Sequence, residues 1–164
     1  MGSRLHFTDK PLPGVEVRTS TVGDCLSLGP RLRKEDCQEI EAVAGCKPTE
    51  GLLYSYFNSK GCLTVTLKGV PIIMFGCGAF PDNDRIGMIW LLSSPELLEV
   101  SKPFLRHSRR FLALLTAPYD LVMNYVDCRN EVHHRWLRWC GFVFLTKHEQ
   151  FGVGKMPFYE VVRV

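Results

Sequence analysis

The sequence predicts one α/β (α+β) domain, with a mixed central β-sheet of about seven strands and helices on both faces. Three consecutive strand-like runs, at Cys62–Leu67, Val70–Cys77 and Ile86–Leu92, predict an antiparallel meander in the middle of the chain. Strand and helix patterns alternate after them, which is typical of a sheet covered by helices. A length of 164 residues suits a single domain. We therefore expect an N-terminal arm over residues 1–14 and one domain over residues 15–164.

The N-terminal part is predicted to contain a first strand and three helices ahead of the meander. Alternating residues in Val15–Thr19 favour a half-buried strand. Asp24 is a candidate cap for the first helix. Lys34–Ala44 has the apolar spacing of a second helix, which ends at Gly45. Thr49–Phe57 has the pattern of a third helix.

The C-terminal part contributes the main helix and the last three strands. The main helix is predicted over about Lys102–Ala117, after a short turn at Ser94-Pro95-Glu96. The remaining elements are a buried strand, a helix capped by Asn130 and two closing strands, at Leu121–Val126, Glu131–Cys140, Phe142–Thr146 and Pro157–Val164.

Composition excludes several classes of protein. Hydrophobic residues make up 46% of the chain and charged residues 23%, as in ordinary globular domains. The apolar run Val70–Phe80 is too short to span a membrane, so no membrane partner is expected. The seven cysteines are odd in number and form no C-x-x-C pair, so we expect reduced thiols and no metal site. A net charge of +3 does not by itself indicate nucleic-acid binding.

A late segment carries the most specific pattern of the sequence. It reads Asn130-Glu-Val-His-His-Arg-Trp-Leu-Arg-Trp-Cys-Gly141-Phe142, with Gly-Phe starting eleven residues after the Asn. Together with the order of elements from about Val15 onwards, this segment resembles the Gcn5-related N-acetyltransferases (GNAT). The resemblance implies the GNAT fold. It also implies acetyl-coenzyme A (acetyl-CoA) as cofactor and an amine as acceptor.

Two parts of the GNAT machinery are missing from the sequence. GNAT proteins hold the coenzyme diphosphate on a loop resembling Arg/Gln-x-x-Gly-x-Gly/Ala, whose glycines let backbone N–H groups approach the anion. The corresponding segment, Leu92–Phe104, contains no glycine and carries the carboxylates of Glu96 and Glu99. The position of the GNAT tyrosine acid corresponds to Leu137, which cannot donate a proton. We therefore predict that the protein uses no cofactor.

Few residues remain as catalytic or cofactor-binding candidates. Tyr125 could replace the missing acid if it faces the cleft, and Glu131 and His133 could act as bases. The competing interpretation is that His133 and His134, adjacent at the start of a surface helix, are simply solvated. If the protein does bind acetyl-CoA, the resemblance assigns the coenzyme to Leu92, Ser93, Ser101, Lys102 and Asn130.

The main helix also carries a basic stripe, at spacings that share one exposed face. The basic stripe consists of Lys102, Arg106, Arg109 and Arg110. Arg129, Arg135 and Arg138 could extend it. The first interpretation is a solvated helix face, the second is a surface for an acidic protein or nucleic acid, and the third is contact with coenzyme phosphates.

A second resemblance concerns the end of the chain. Asn124-Tyr125-Val126 ahead of the Asn130–Phe142 helix, together with the run Phe151–Val164, is similar to acetyltransferase-like proteins of T7-like bacteriophages (podoviruses). These are described as internal virion or morphogenesis proteins. The resemblance implies a non-catalytic pseudoenzyme that is made in the host cytoplasm and incorporated in the virion. Its partners would be other virion or assembly proteins, with nucleic acid as the weaker expectation. The alternative is an acetyl-CoA-dependent N-acetyltransferase with an atypical cofactor loop.

Overall fold

The computed structural model describes residues 13–164. Within these residues, seven strands form one sheet in the order β1-β2-β3-β4-β5-β7-β6. The strands are β1 Val15–Thr19, β2 Gly61–Leu67, β3 Val70–Phe80, β4 Asn83–Ser93, β5 Leu121–Asp127, β6 Val143–Phe151 and β7 Met156–Arg163. The helices are α1 Val22–Leu28, α2 Lys34–Ala44, α3 Pro48–Phe57, α4 Leu97–Thr116 and α5 Glu131–Trp139. The predicted mixed sheet is confirmed. Most of the predicted N-terminal arm lies outside the described residues, so the division at residue 14 stays a prediction.

The sheet consists of two parts that are joined over a short distance. β1 to β4 form an antiparallel meander, and β5, β7 and β6 form a second antiparallel group. β4 pairs with β5 in parallel over Ile86–Met88, although β4 continues to Ser93. The junction requires a glycine, because a Cβ at Gly87 would lie 2.6 Å from Cys77 Sγ and 2.7 Å from the Tyr119 ring. Beyond the junction the two central strands separate and leave a cleft between them.

Helices cover both faces of the sheet. On the face of α4 and α5, the Phe75 ring lies 5.5 Å from the ring of Phe104 and 6.1 Å from that of Phe111. On the face of α1, α2 and α3, Met74 packs in the same cluster as Leu28. From Ile73 to Phe75, successive β3 side chains alternate between the two clusters, because strand side chains point to opposite faces. Burial of a side chain such as Phe75 contributes about 1.5–3 kcal/mol.

The main helix begins earlier than predicted. α4 starts at Leu97, five residues before the predicted Lys102, and continues through Pro103. Leu97 and Val100 are buried against the sheet, at 5% and 3% exposure. This burial offsets the roughly 3 kcal/mol that a proline costs inside a helix.

One predicted helix cap is wrong, and the other is right in position only. Thr21 caps α1 in place of Asp24, because Thr21 Oγ1 accepts a hydrogen bond from the Asp24 amide at 3.3 Å. Asp24 closes the same capping box by accepting from the Thr21 amide at 2.9 Å. Asn130 precedes α5, but its side chain makes no cap hydrogen bond and points into a buried polar network described below. Gly141 follows α5 at φ 88°, which agrees with the predicted end of this helix.

None of the helices described between residues 13 and 164 has the length and apolarity needed to span a lipid bilayer.

Candidate functional site

Two cavities lie along the cleft between β4 and β5. The larger cavity, of about 570 Å³, lies on the side of α2 and α3. Its walls are mainly apolar and aromatic, with one carboxylate; they include Glu39, Tyr54, Trp90, Leu91, Tyr125 and His133. The smaller cavity, of about 130 Å³, lies between α4 and α5. Leu91 and His133 line both cavities, so the two cavities meet at these residues.

His133 is the titratable side chain at this meeting point. It is 3% exposed, and its Nδ1 lies 3.8 Å from Glu39 Oε2. Neither ring nitrogen has a hydrogen-bond partner among the described residues, and the ring stacks on Trp136 with centroids 5.6 Å apart. Buried polar atoms of proteins are nearly always paired with protein, water or ligand. The His133 nitrogens are therefore available to a molecule bound in either cavity.

The interpretation of His133 and His134 as solvated side chains is wrong. Both are buried, because α5 packs one side against the cleft and another against the sheet. His134 Nε2 lies 2.8 Å from the Asp127 carbonyl oxygen, and the His134 ring contacts the rings of Phe144 and Tyr159. Burial lowers the pKa of His134 below its usual value. His134 is thus a neutral histidine with a structural role, whereas the ring nitrogens of the adjacent His133 can bind a ligand.

We expect the lowered pKa of His134 to make the protein sensitive to mild acid. The unfolded chain binds the His134 proton more readily than the folded one, so stability is lost as the pH falls below the ordinary value of 6.5. The free energy of unfolding, measured by urea titration at pH 7.5 and pH 5.5, should therefore drop more for the wild type than for His134→Gln. Equal losses in the two proteins would contradict this explanation.

A buried polar network holds the end of the cleft together. Asp36 Oδ1 accepts hydrogen bonds from Arg33 Nη2 and Asn130 Nδ2, both at 3.0 Å. Asp36 Oδ2 accepts from the Ser93 amide at 3.0 Å. Asn130 Nδ2 also donates to Glu39 Oε2 at 2.7 Å. The network connects α2 with the end of β4 and the start of α5, and it holds Glu39 in the cleft.

Arg33, Asp36 and Glu39 are not among the site residues that the sequence predicts. The sequence pattern places the buried stripe of α2 on the apolar residues, whereas Asp36 and Glu39 are also buried, at 0% and 9% exposure. The available signal was their i, i+3 spacing next to Ile40, which puts two carboxylates on the helix face that packs inward. Their partner Asn130 is distant in sequence, so local patterns did not reveal the network.

Of the three catalytic candidates, the structure brings two into the cleft. Tyr125 lines the larger cavity, as His133 does, and its ring stacks on Phe151 with centroids 4.4 Å apart. Burial, with the nearby Glu160 carboxylate, raises the pKa of Tyr125, so its phenol keeps its proton at neutral pH. Glu131 is exposed and does not line either cavity.

The residues assigned to a coenzyme do not form one group. Leu92 lines the larger cavity, and the Oγ of the buried Ser93 has no hydrogen-bond partner among the described residues. Asn130 belongs to the polar network. Ser101 lines the smaller cavity, whereas Lys102 is exposed beside it.

The start of α4 does not fit a diphosphate. Hydrogen bonds within the chain already occupy the amides of Ser93, Ser94, Leu97, Leu98 and Glu99. Pro95 has no N–H group. A hydrogen bond from Ser94 lowers the pKa of Glu96, so an ionised carboxylate lies at the place where the anion would bind. The loop therefore offers neither the donors nor the charge that a diphosphate needs.

Strand β4 does offer backbone groups to a slender, amide-containing molecule. The Ser93 carbonyl accepts from the Arg33 amide at 2.8 Å and the Ser93 amide donates to Asp36, so both groups face away from β3. Alternation along an antiparallel strand places the backbone groups of Ile89 and Leu91 on the same side, toward the cleft. An extended arm could pair with them as an added strand does.

Members of the basic stripe differ in their surroundings. Arg109 Nε donates to the Trp139 carbonyl oxygen at 2.9 Å, and its guanidinium lies 4.5 Å from the Trp139 ring centroid. Of the predicted extensions, Arg129 pairs with Asp127 at 2.7 Å, and Arg138 lies over the Phe144 ring. The other four cations are exposed and have no ion pair within residues 13–164; they are Lys102, Arg106, Arg110 and Arg135.

Comparison with solved structures identifies the fold. Ard1 from Thermoplasma volcanium is 15% identical and superposes with a TM-score of 0.71 over 92% of this chain and 97% of its own. The aminoglycoside acetyltransferase AAC(6')-Ib in complex with coenzyme A is 17% identical, with a TM-score of 0.64 over 92% of this chain and 94% of its own. The chain has the GNAT fold. A putative acetyltransferase from Salmonella typhimurium, solved with its cofactor acetyl-CoA, is 12% identical with a TM-score of 0.57 over 92% of this chain and 93% of its own.

The sequence itself gives no closer match. No protein-family model matches it, and a search of curated proteins finds no match. The GNAT resemblance is thus confirmed at the level of the fold, while the similarity to phage virion proteins stays a prediction.

The prediction that the protein uses no cofactor is wrong. Structures that share the GNAT fold with this chain contain acetyl-CoA or coenzyme A. The prediction rested on the loop before α4, which contacts one end of such a molecule in that family. It took no account of the cleft between the central strands and of the two cavities there.

Proposed function

We propose that the protein is an acyltransferase that moves an acyl group from a coenzyme A-type thioester to an amine. The observation that carries this proposal is His133, a buried histidine at the meeting point of two cavities, neither of whose ring nitrogens has a hydrogen-bond partner among the described residues. Two reactants that enter from opposite faces of the sheet would meet at this side chain. The GNAT fold of the chain supports the same reaction class.

The larger cavity suits the amine. Its aromatic walls include Tyr54 and Trp90, and Glu39 supplies a carboxylate. Aromatic faces and a carboxylate both attract a cation, and an amine enters the cavity as an ammonium ion. The smaller cavity and the cleft-facing backbone of Leu91 would hold the pantetheine arm of the donor.

The residues of the cleft can carry the protons of the reaction. Nε2 of His133 accepts a proton from the amine, and Glu39, close to Nδ1, stabilises the imidazolium that forms. A bound thioester would supply the activated acyl group. Tyr125, whose phenol is protonated, can give a proton to the departing thiolate. Exclusion of water by the apolar walls limits hydrolysis of the donor.

The test is an assay of thiol release from acetyl-CoA and from acetyl-pantetheine, with a panel of primary amines and mass spectrometry of the products. We expect thiol release that depends on the amine and an amide product of equal amount. Failure of both donors with every amine, or release that does not depend on the amine, would reject the proposal.

A second candidate is a non-catalytic role in phage assembly. It is favoured by the loop before α4, whose amides are occupied and whose Glu96 carboxylate repels phosphate. This role predicts no turnover, no effect of cleft substitutions, and recovery of the chain from purified phage particles by mass spectrometry. An amine-dependent reaction that requires His133 would reject it.

A further inference from the structure

The smaller cavity has features that match a pantetheine arm. Leu97, Leu105 and Val132 give it apolar walls, and Ser101 adds a hydroxyl. Trp136, which also lines it, is 4% exposed, and its Nε1 has no hydrogen-bond partner among the described residues. An indole N–H can only donate, so this atom requires an acceptor when it is buried. The amide carbonyls of pantetheine are acceptors of this kind.

The phosphate-bearing end of free coenzyme A has no matching site next to this cavity. Free coenzyme A carries a diphosphate and a further phosphate, whereas the amides at the start of α4 are occupied and Glu96 is ionised. A donor that retains the pantetheine arm but carries a single phosphate in place of the diphosphate and the further phosphate would bring less negative charge to Glu96. Pantetheine bound through one phosphate to a protein serine is such a donor.

Unpaired positive charge lies at the edge of the same cavity. Lys102 and Arg106 each directly follow a cavity-lining residue, Ser101 and Leu105, and Arg135 lines the cavity itself. These cations, with Arg110, have no ion pair within the described part of the chain. A surface of unpaired cations beside a cavity is complementary to an acidic partner and steers its approach.

From these three observations we infer that the acyl donor is delivered by an acidic carrier protein on a phosphopantetheine arm. The acidic carrier docks on Lys102, Arg106, Arg110 and Arg135, and the arm enters the smaller cavity. This inference rests on the proposed acyl transfer. The thioester C–S bond breaks and an amide C–N bond forms, His133 takes the amine proton, and the thiolate is protonated to leave a free thiol on the carrier.

The test compares three acetyl donors with one amine: an acidic carrier protein loaded with acetyl-phosphopantetheine, acetyl-CoA, and acetyl-pantetheine. We expect the carrier to give the highest kcat/KM at low salt. Arg106→Glu combined with Arg110→Glu should lower kcat/KM for the carrier by about tenfold or more and leave acetyl-pantetheine unchanged. Titration calorimetry with the unacylated carrier should show the same loss of binding without any turnover.

A matched control carries the same change of charge elsewhere. Lys34→Glu combined with Lys68→Glu alters two exposed lysines outside both cavities and should leave all three donors unaffected.

Each contrary outcome has a distinct meaning. If acetyl-pantetheine reacts and the carrier reacts no better, the inference is wrong while the proposed function stands. If the stripe variant weakens acetyl-CoA as much as the carrier, the cations serve coenzyme phosphates and the inference is again wrong. If the variant loses salt-dependent binding to duplex DNA but keeps its carrier kinetics, the surface belongs to nucleic acid. If no donor reacts, the proposed function fails and the inference fails with it.

Discussion

Replacing His133 by glutamine will lower kcat by about 10²–10⁴-fold, the usual contribution of a general base. Glutamine fills a similar volume but cannot accept a proton from an ammonium ion at neutral pH. His133 is only one of the residues that line each cavity, so KM for either substrate should change much less than kcat. Steady-state kinetics with acetyl-pantetheine as donor measure both constants.

Two further variants make this result specific to proton transfer. His134→Gln changes an adjacent buried histidine whose Nε2 is hydrogen-bonded to Asp127, so it should lower stability and leave kcat largely intact. Glu39→Gln keeps the shape of the side chain but removes the charge that stabilises an imidazolium, so the rising limb of the pH–rate profile should move to lower pH. Activity that survives in His133→Gln would remove this residue from the mechanism.

Replacing Asp36 by alanine will lower the free energy of unfolding by about 3–5 kcal/mol. Asp36 is fully buried, and its loss leaves the guanidinium of Arg33, 5% exposed, without its carboxylate. The Ser93 amide and the Asn130 side chain also lose an acceptor. Denaturant titration monitored by circular dichroism gives the value.

Removal of both charges should be far less damaging than removal of one. Arg33→Met combined with Asp36→Leu takes away the unpaired charge, and we expect it to recover most of the lost stability. The exposed pair between Arg85 and Asp120 is the control, because Asp120→Ala should cost about 0–1 kcal/mol. A single Asp36→Ala change as mild as that control would show that the buried pair does not hold the cleft together.

Local patterns were sufficient to predict the fold. Alternation predicted the meander strands, and the Gly141-Phe142 step marked the turn from α5 to β6, since only a residue that tolerates positive φ ends a helix in this way. The predicted start of α4 at Lys102 is five residues late. Burial of Leu97 and Val100 against the sheet, a tertiary effect, decides where the helix begins.

The site was less predictable, because its residues come from distant parts of the chain. Asp36 and Asn130 are 94 positions apart and meet only after α2 has packed across the sheet from α5. The sequence around Asn130 therefore predicts a helix cap, whereas its side chain donates to Asp36 and Glu39 in the buried network. The two adjacent histidines had the pattern of a solvated helix start, and nothing local distinguishes the one that faces Glu39 from the one that bonds Asp127.

The short junction between β4 and β5 has a consequence for how the chain folds. The strands of the meander are neighbours in sequence, so their hairpins close small loops at little entropic cost. The whole of α4 lies between β4 and β5 in the chain. The two strands then pair only over Ile86–Met88. The main-chain hydrogen bonds at this junction are too few to offset the entropic cost of closing such a long loop. The docking of the C-terminal half therefore depends on the side chains of α4, such as Phe111 and Leu112, that are buried beneath both halves of the sheet.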